Sequence, residues 1–110
     1  MIRSVNDNTR SALFGLAVAD ALGVPVEFKS RQYLKQNPLV DMMGYGSHHV
    51  PPGTFSDDSS LTFCLAESLV NGYDLKDVGR KFIAWYREGY LLYSCKIITI
   101  DINQSTAVIQ

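Results

Sequence analysis

The sequence predicts a mainly helical globular domain, and three observations lead to that prediction. Apolar residues recur at helical spacing in three stretches, and a glycine follows each one. Hydrophobic residues make up 46% of the 110-residue chain, a share that supports a packed core and exceeds that of disordered chains. Residues 90–100 are rich in strand-forming side chains, but one such segment without a partner is weak evidence for a sheet. The length fits a single small domain.

Two helices are predicted before residue 37. Apolar and small residues predict the first from about residue 8 to residue 22, with Gly23 in the left-handed conformation as its stop and Pro25 preventing its continuation. Its many small side chains would let another backbone approach closely, so we expect a central, packed helix. The second is short, covers residues 31–36, and has Ser30 as its N-cap.

Residues 37–57 break the helical pattern and predict a loop. Six prolines and glycines occur there, with no period of 2 or 3.6. A loop of about 20 residues in a compact domain is usually functional or disordered. Its methionines, aromatic residues and histidines favour contacts with other groups and are unusual in a simple linker, so we predict a binding loop. His48 and His49 are adjacent and therefore point in different directions, which favours a surface or loop-anchoring role over catalysis.

Two further helices are predicted after the loop. One covers about residues 59–71 and stops at Gly72, and the other begins after the capping residue Asp74 and ends at Gly89. The predicted inner faces are Leu61, Cys64, Leu65, Ser68 and Leu69 in the first, and Leu75, Val78, Phe82, Trp85 and Tyr86 in the second. A last helix is expected to start at about Asn103.

Charge and composition argue against several classes of protein. Ten Lys and Arg against eleven Asp and Glu give a net charge of −1, so no basic surplus draws the chain to nucleic acid or to an anionic membrane. No window approaches the ~20 consecutive apolar residues of a membrane span, and no apolar run follows the first arginine as in a secretory signal. Cys64 and Cys95 show no ligand spacing, and Cys64 is predicted to be a buried free thiol. A cytoplasmic location is therefore expected.

The segment most suggestive of chemistry is residues 51–58, which read PPGTFSDD and lead into the third predicted helix. In one interpretation the segment is a helix cap, with Ser56 or Asp58 accepting the first backbone N–H groups. In the other, Ser56, Asp57 and Asp58 hold a divalent cation, since oxygen-only ligands suit Mg²⁺, Mn²⁺ or Ca²⁺ and a cation relieves the repulsion between adjacent carboxylates. Spacing alone favours the cap and leaves both interpretations open.

Two longer stretches resemble a known family. Residues 15–28, GLAVADALGVPVEF, are similar to the first helix of the ADP-ribosylglycohydrolase family, which includes the dinitrogenase-reductase-activating glycohydrolases. Residues 43–62, MGYGSHHVPPGTFSDDSSLT, resemble the family's first metal motif, and residues 101–106 loosely resemble its next segment. The matches follow the family's order and together cover essentially the whole chain, as the N-terminal part of a longer family member.

The resemblance implies an all-α fold, the N-terminal part of the family's orthogonal helical fold, as one domain over residues 1–110. It implies a binuclear Mg²⁺ or Mn²⁺ centre that hydrolyses the glycosidic bond between ADP-ribose and a protein side chain or related acceptor. Ser56, Asp57 and Asp58 match the family's first group of metal ligands. Glu27 matches a mobile acidic residue near the metals, with a proposed role in gating the site or positioning the leaving group. The implied partner is an ADP-ribosylated protein or an ADP-ribose-containing small molecule.

The largest departure from the family pattern concerns the second half of the metal centre. The family completes that centre with an Asp-x-Asp motif followed by Thr or Ser, and no Asp-x-Asp occurs in these 110 residues. We therefore expect a truncated domain that binds one cation weakly and hardly binds a pair. We also expect it to self-associate through exposed apolar surface or to be only marginally stable. Two functions stay open: an ADP-ribosylglycohydrolase whose centre is incomplete in this chain, and a catalytically inactive binding or structural remnant of the same fold.

Overall fold

The computed structural model describes residues 4–91, which contain four α-helices, one short 3₁₀ helix and no β-strand. The α-helices are α1 (Val5–Gly23), α2 (Arg31–Gln36), α3 (Asp57–Leu69) and α4 (Leu75–Glu88), and the 3₁₀ helix is Val24–Val26. The all-α prediction is thus confirmed over the described residues. The strand-like segment from residue 92 onward, Cys95, residues 101–106 and the helix expected at Asn103 lie outside them.

The chain divides into two compact units, residues 1–55 and residues 56–110. The first contains α1, the 3₁₀ helix, α2 and the long loop, and the second contains α3 packed against α4. The expectation of a single domain over residues 1–110 stays a prediction.

Helix α1 begins earlier and ends differently than predicted. A capping box starts it: Asp7 N donates to Ser4 Oγ at 3.1 Å, and Ser4 N donates to an Asp7 carboxylate oxygen at 3.3 Å. The prediction of a left-handed stop at Gly23 is wrong, because that residue has φ −78° and ψ −29°. The helix instead tightens into the 3₁₀ turn, which accommodates Pro25 because proline has no N–H to donate and its φ is already fixed near a helical value.

Most of α1 is exposed in the described part of the chain, so the prediction of a packed central helix is wrong there. Ala21 is buried, whereas Phe14 is 72% exposed. The segment Val5–Val26 is long and apolar enough to cross a membrane by length and composition alone. The core helices of soluble proteins pass the same test, so one such helix is weak evidence for a span. The cytoplasmic location and the self-association stay predictions.

Helix α2 and the loop after it match the prediction. The helix covers Arg31–Gln36, and Ser30 caps it by accepting a 3.0 Å hydrogen bond from Tyr33 N. Residues 37–56 contain neither helix nor strand, as expected.

The α3–α4 pair packs through fewer large side chains than predicted. Cys64 and Ser68 on α3 are buried, as are Val78 and Trp85 on α4, but Leu65 and Leu69 are exposed although the spacing placed them on the inner face. Small side chains therefore form the contact face of α3. Cys64 is the buried free thiol that was predicted, and burial raises its pKa. The reactive thiolate is thereby disfavoured, which fits a packing role.

Both ends of α4 agree with their predicted caps. Asp74 accepts hydrogen bonds from Lys76 N at 2.9 Å and from Asp77 N at 3.3 Å. Gly89 closes the helix in the left-handed conformation, at φ 70°. These caps are determined by residues adjacent in sequence, which explains why spacing was enough to predict them.

Candidate functional site

The predicted metal ligands open helix α3. Ser56 is its N-cap and is buried, and its Oγ accepts a 3.4 Å hydrogen bond from Asp58 N. Asp57 is half-buried and Asp58 is exposed, and both lie in the first helical turn, so α3 starts two residues before the predicted position. The capping interpretation is thus confirmed, with Ser56 as the capping residue. Thr62, one turn later, donates to the Asp58 carbonyl at 2.7 Å.

The donors at this helix start have the chemistry of a site for a hard cation. Ser56, Asp57 and Asp58 provide one hydroxyl and two carboxylates in consecutive positions, the oxygen ligands that suit Mg²⁺ or Mn²⁺. Within residues 4–91 no group of three or more His, Cys, Asp or Glu side chains could hold a metal ion. The candidate set therefore consists of two carboxylates and a hydroxyl, fewer donors than one octahedral Mg²⁺ takes.

The segment before Ser56 is held in a tight turn. Thr54 is fully buried, and both its backbone N–H and its hydroxyl donate to the Pro51 carbonyl, at 3.3 Å and 2.7 Å. Gly53 has φ +82°, a left-handed conformation that favours glycine at this position. On the other side of the loop, a Cβ on Gly44 would lie 2.4 Å from Pro52 Cδ. The lead-in is thus a fixed structure and not a flexible linker.

Glu27, the predicted acidic residue, lies just after the 3₁₀ turn in the first unit. Its backbone N–H donates to the Val24 carbonyl at 3.4 Å, which closes the turn. Its carboxylate, 38% exposed, lies 2.6 Å from the ring nitrogen Nε2 of His48. The next residue, Phe28, has φ +65°, an unusual left-handed conformation for a bulky side chain.

The loop over residues 46–48 contacts the turn that carries Glu27 through hydrogen bonds and close packing. Ser47 N donates to the Pro25 carbonyl at 2.9 Å, and Ser47 Oγ donates to the Glu27 carbonyl at 2.6 Å. Gly46 lies so close to the turn that a Cβ there would be 2.0 Å from the Pro25 carbonyl oxygen. The backbone around Glu27 is therefore fixed by hydrogen bonds and by close packing at once.

His48 and His49 point in different directions, as their adjacency predicts. His48 is buried and anchors the loop through Glu27, whereas His49 is exposed. The sequence is consistent with a loop-anchoring role for His48, but it does not identify Glu27 as the residue that His48 contacts. No spacing signal could have found the pair, because 21 positions separate the two residues.

A cavity of about 420 Å³ lies beside this loop in the first unit. Its lining is Pro25, Val26, Lys29, Tyr33, Met43, Gly44, Tyr45, Gly46, Ser47 and His49. The Lys29 ammonium lies 5.2 Å from the centre of the Tyr33 ring. The volume is within the range of small-molecule sites. The prediction of a binding loop stays a prediction.

Comparison with known proteins assigns the chain to a family. The ADP-ribosylglycohydrolase family model matches residues 1–108. The chain belongs to the ADP-ribosylglycohydrolase family. The predicted resemblance is thereby confirmed, and the helices described above agree with the N-terminal part of that all-α fold. No solved structure matches the chain.

Three curated relatives of this ADP-ribosylglycohydrolase-family chain are informative. The chain is 40% identical over 85 residues to ADP-ribosylarginine hydrolase Tri1 of Serratia proteamaculans (strain 568) and 35% identical over 85 residues to the protein of that name from Pseudomonas putida (strain GB-1). It is 34% identical over 88 residues to ADP-ribosyl-[dinitrogen reductase] glycohydrolase of Rhodospirillum rubrum. Each match covers 76% of this chain but only 22%, 22% and 30% of the respective relative.

Proposed function

We propose that this chain supplies an acidic residue and the first ligand group of an enzyme that hydrolyses the glycosidic bond between ADP-ribose and a protein side chain or related acceptor. The family match over residues 1–108 carries the proposal. The names of the three relatives support it, because two specify ADP-ribosylarginine and the third specifies an ADP-ribosylated dinitrogen reductase. An ADP-ribosylated protein is accordingly the proposed substrate class, and a small molecule that contains ADP-ribose is the second.

In this proposal Ser56, Asp57 and Asp58 would hold Mg²⁺ or Mn²⁺. Their support is the oxygen-only donor set with two adjacent carboxylates, whose mutual repulsion a bound cation would relieve. A bound pair of these ions would supply Lewis acidity and would lower the pKa of a bound water, the nucleophile of a hydrolysis. Further oxygen ligands are needed to fill a two-metal centre.

Glu27 has the proposed role of gating the site or positioning the leaving group. Its carboxylate is partly exposed, so a bound substrate has access to it, while the 2.6 Å contact with His48 restrains it. A restrained carboxylate can accept a hydrogen bond from a leaving amine or guanidine in a defined direction, which is what positioning requires.

A catalytically inactive remnant of the same fold is the second candidate. The specific observation behind it is the small number of donors, two carboxylates and a hydroxyl, together with the lack of any Asp-x-Asp in the 110 residues. Such a protein would bind ADP-ribosylated partners or support an assembly without turnover.

The two candidates differ in metal-dependent turnover. The protein, expressed from its complete reading frame, is incubated with an arginine-ADP-ribosylated protein and Mn²⁺ or Mg²⁺, and free ADP-ribose is measured with and without EDTA. We expect release that EDTA and the double substitution Asp57→Asn, Asp58→Asn abolish while circular dichroism stays helical. Glu88→Gln, which changes an exposed carboxylate at the end of α4, is the matched control.

Each result of this assay has a definite meaning. Release that persists in the double variant would overturn the assigned metal ligands. No release by the unaltered protein with either ion would overturn the hydrolase and favour the inactive remnant.

A further inference from the structure

His48 and Glu27 form a 2.6 Å side-chain contact in the first unit, and Glu27 is the acidic residue assigned to the proposed reaction. We infer that His48 is a positioning residue: its imidazole fixes the orientation of the Glu27 carboxylate, through which it acts on hydrolysis. The inference rests on the proposed function, because it assigns a task to His48 only if Glu27 has one.

Burial is distributed unequally between the two partners. The His48 side chain is 2% exposed and the Glu27 side chain is 38% exposed, with 2.6 Å between Nε2 and Oε2. A buried imidazole cannot move far, whereas an exposed carboxylate on a flexible side chain otherwise samples several rotamers. The hydrogen bond from His48 therefore restricts the rotamers of the partly exposed Glu27 carboxylate.

The protonation of the ring follows from its neighbours. An ionised carboxylate only accepts hydrogen bonds, so Nε2 must carry the proton in this contact. The other ring nitrogen, Nδ1, is buried and makes no hydrogen bond within residues 4–91. His48 thus holds the carboxylate as a donor.

A second side chain, Phe28, lies beside the imidazole and is itself 74% exposed. The Phe28 ring packs against it at an angle of 59°, with 5.9 Å between the ring centres. Phe28 can do this because its left-handed backbone, at φ +65°, turns the chain immediately after Glu27. A strained conformation in the residue next to a candidate catalytic carboxylate is typical of functional sites.

Anchoring of the loop backbone does not by itself explain why the His48 side chain contacts the Glu27 carboxylate. Ser47 already ties the loop backbone to the turn, through its bonds to the Pro25 and Glu27 carbonyls. Those bonds reach only backbone atoms. In the described part of the chain, the imidazole of His48 is what reaches the Glu27 carboxylate from this loop. The contact that Ser47 cannot supply is therefore the one that controls where the carboxylate lies.

The test compares His48→Ala and His48→Gln with the control Gln36→Ala in the complete protein. We expect His48→Ala to lower kcat about 10- to 100-fold, the usual loss for a residue that orients a functional side chain, with a small change in KM. His48→Gln should recover much of the loss because its amide can place a donor near the position of Nε2. Gln36→Ala, at an exposed residue of α2 outside the cavity lining, should retain kcat.

A double-mutant cycle separates positioning from a merely structural role. If His48 acts through Glu27, His48→Ala has no further effect on kcat once Glu27→Gln is present. If His48→Ala instead damages the fold, it lowers kcat in the Glu27→Gln background as well. If His48→Ala does not fold, His48→Phe gives the same comparison, because it keeps a ring against Phe28 and lacks the donor.

The outcomes distinguish this inference from the function on which it rests. An active protein in which His48→Ala or His48→Phe turns over like Gln36→Ala would overturn the inference alone, as would additive losses in the cycle. An unaltered protein with no hydrolase activity would overturn the proposed function, and the inference with it.

Discussion

Ser68 on α3 donates a 2.6 Å hydrogen bond to the carboxylate of Asp77 on α4. The serine is 1% exposed, and the aspartate also lies 3.5 Å from the guanidinium of Arg80. The Ser68 hydroxyl is the main reason that the pKa of Asp77 lies below its ordinary value. Helices α3 and α4 are thus joined by a hydrogen bond whose acceptor is a carboxylate.

Replacing the donor should alter how stability depends on pH. A carboxyl whose folded-state pKa is depressed adds stability above its unfolded pKa, and that stability disappears as pH falls through the folded pKa. Ser68→Ala should therefore lower the urea midpoint at about pH 7 and lose less stability than the unaltered protein on acidification. Ser11→Ala, an exposed serine on α1, is the control and should keep the original pH dependence. Equal acid sensitivity in both variants would contradict the assignment.

Tyr90 and Glu67 form a second acid-sensitive contact. The Tyr90 hydroxyl donates to both carboxylate oxygens of Glu67, at 2.7 Å and 2.8 Å, and Lys81 lies 3.2 Å away. The hydroxyl lowers the pKa of Glu67, and Lys81 lowers it further. Tyr90→Phe should raise that pKa, which NMR titration of the carboxyl carbon measures directly. Tyr73→Phe, at a 75% exposed tyrosine, should leave the titration of Glu67 unchanged.

Gly46 and Gly15 should respond in opposite ways to the same substitution. A Cβ at Gly46 meets the Pro25 carbonyl oxygen at 2.0 Å, so Gly46→Ala must push the loop off the turn and cost about 1–3 kcal/mol of unfolding free energy. At Gly15, inside α1, nothing lies within 4 Å of the new atom. Gly15→Ala should stabilise the protein by roughly 0.5–1 kcal/mol, because alanine favours the helix. Urea unfolding of both variants gives the comparison.

Trp85 is expected to contribute much of the stability of the α3–α4 pair. It is 2% exposed, so Trp85→Ala removes a large buried side chain and should cost about 3–5 kcal/mol. Phe14→Ala removes an exposed aromatic ring and should change the unfolding free energy by only about 0.5 kcal/mol. A small effect of Trp85→Ala would mean that this helix pair does not carry the stability of the described chain.

Features set by neighbouring residues were predictable from sequence. Ser30 and Asp74 cap their helices, and Gly89 ends α4, because each acts on backbone atoms only a few positions away. The start of α1 was missed because the capping box of Ser4 and Asp7 uses aspartate, a variant of the usual pattern.

Features set by distant residues were not predictable in the same way. Leu65 and Leu69 have the spacing of an inner face, yet their exposure depends on what packs against α3, which spacing does not contain. For the candidate site, the family resemblance selected Glu27, Ser56, Asp57 and Asp58. It could not reveal that His48, 21 positions from Glu27, holds that carboxylate. Contacts across such separations follow from the path of the loop.

Phe28 carries a consequence for how this protein responds to selection. Glycine would adopt φ +65° at lower energy, but it would remove the ring that lies against His48. A library screened for heat resistance alone should therefore enrich glycine at this position, whereas a screen that also demands turnover should retain the aromatic residue.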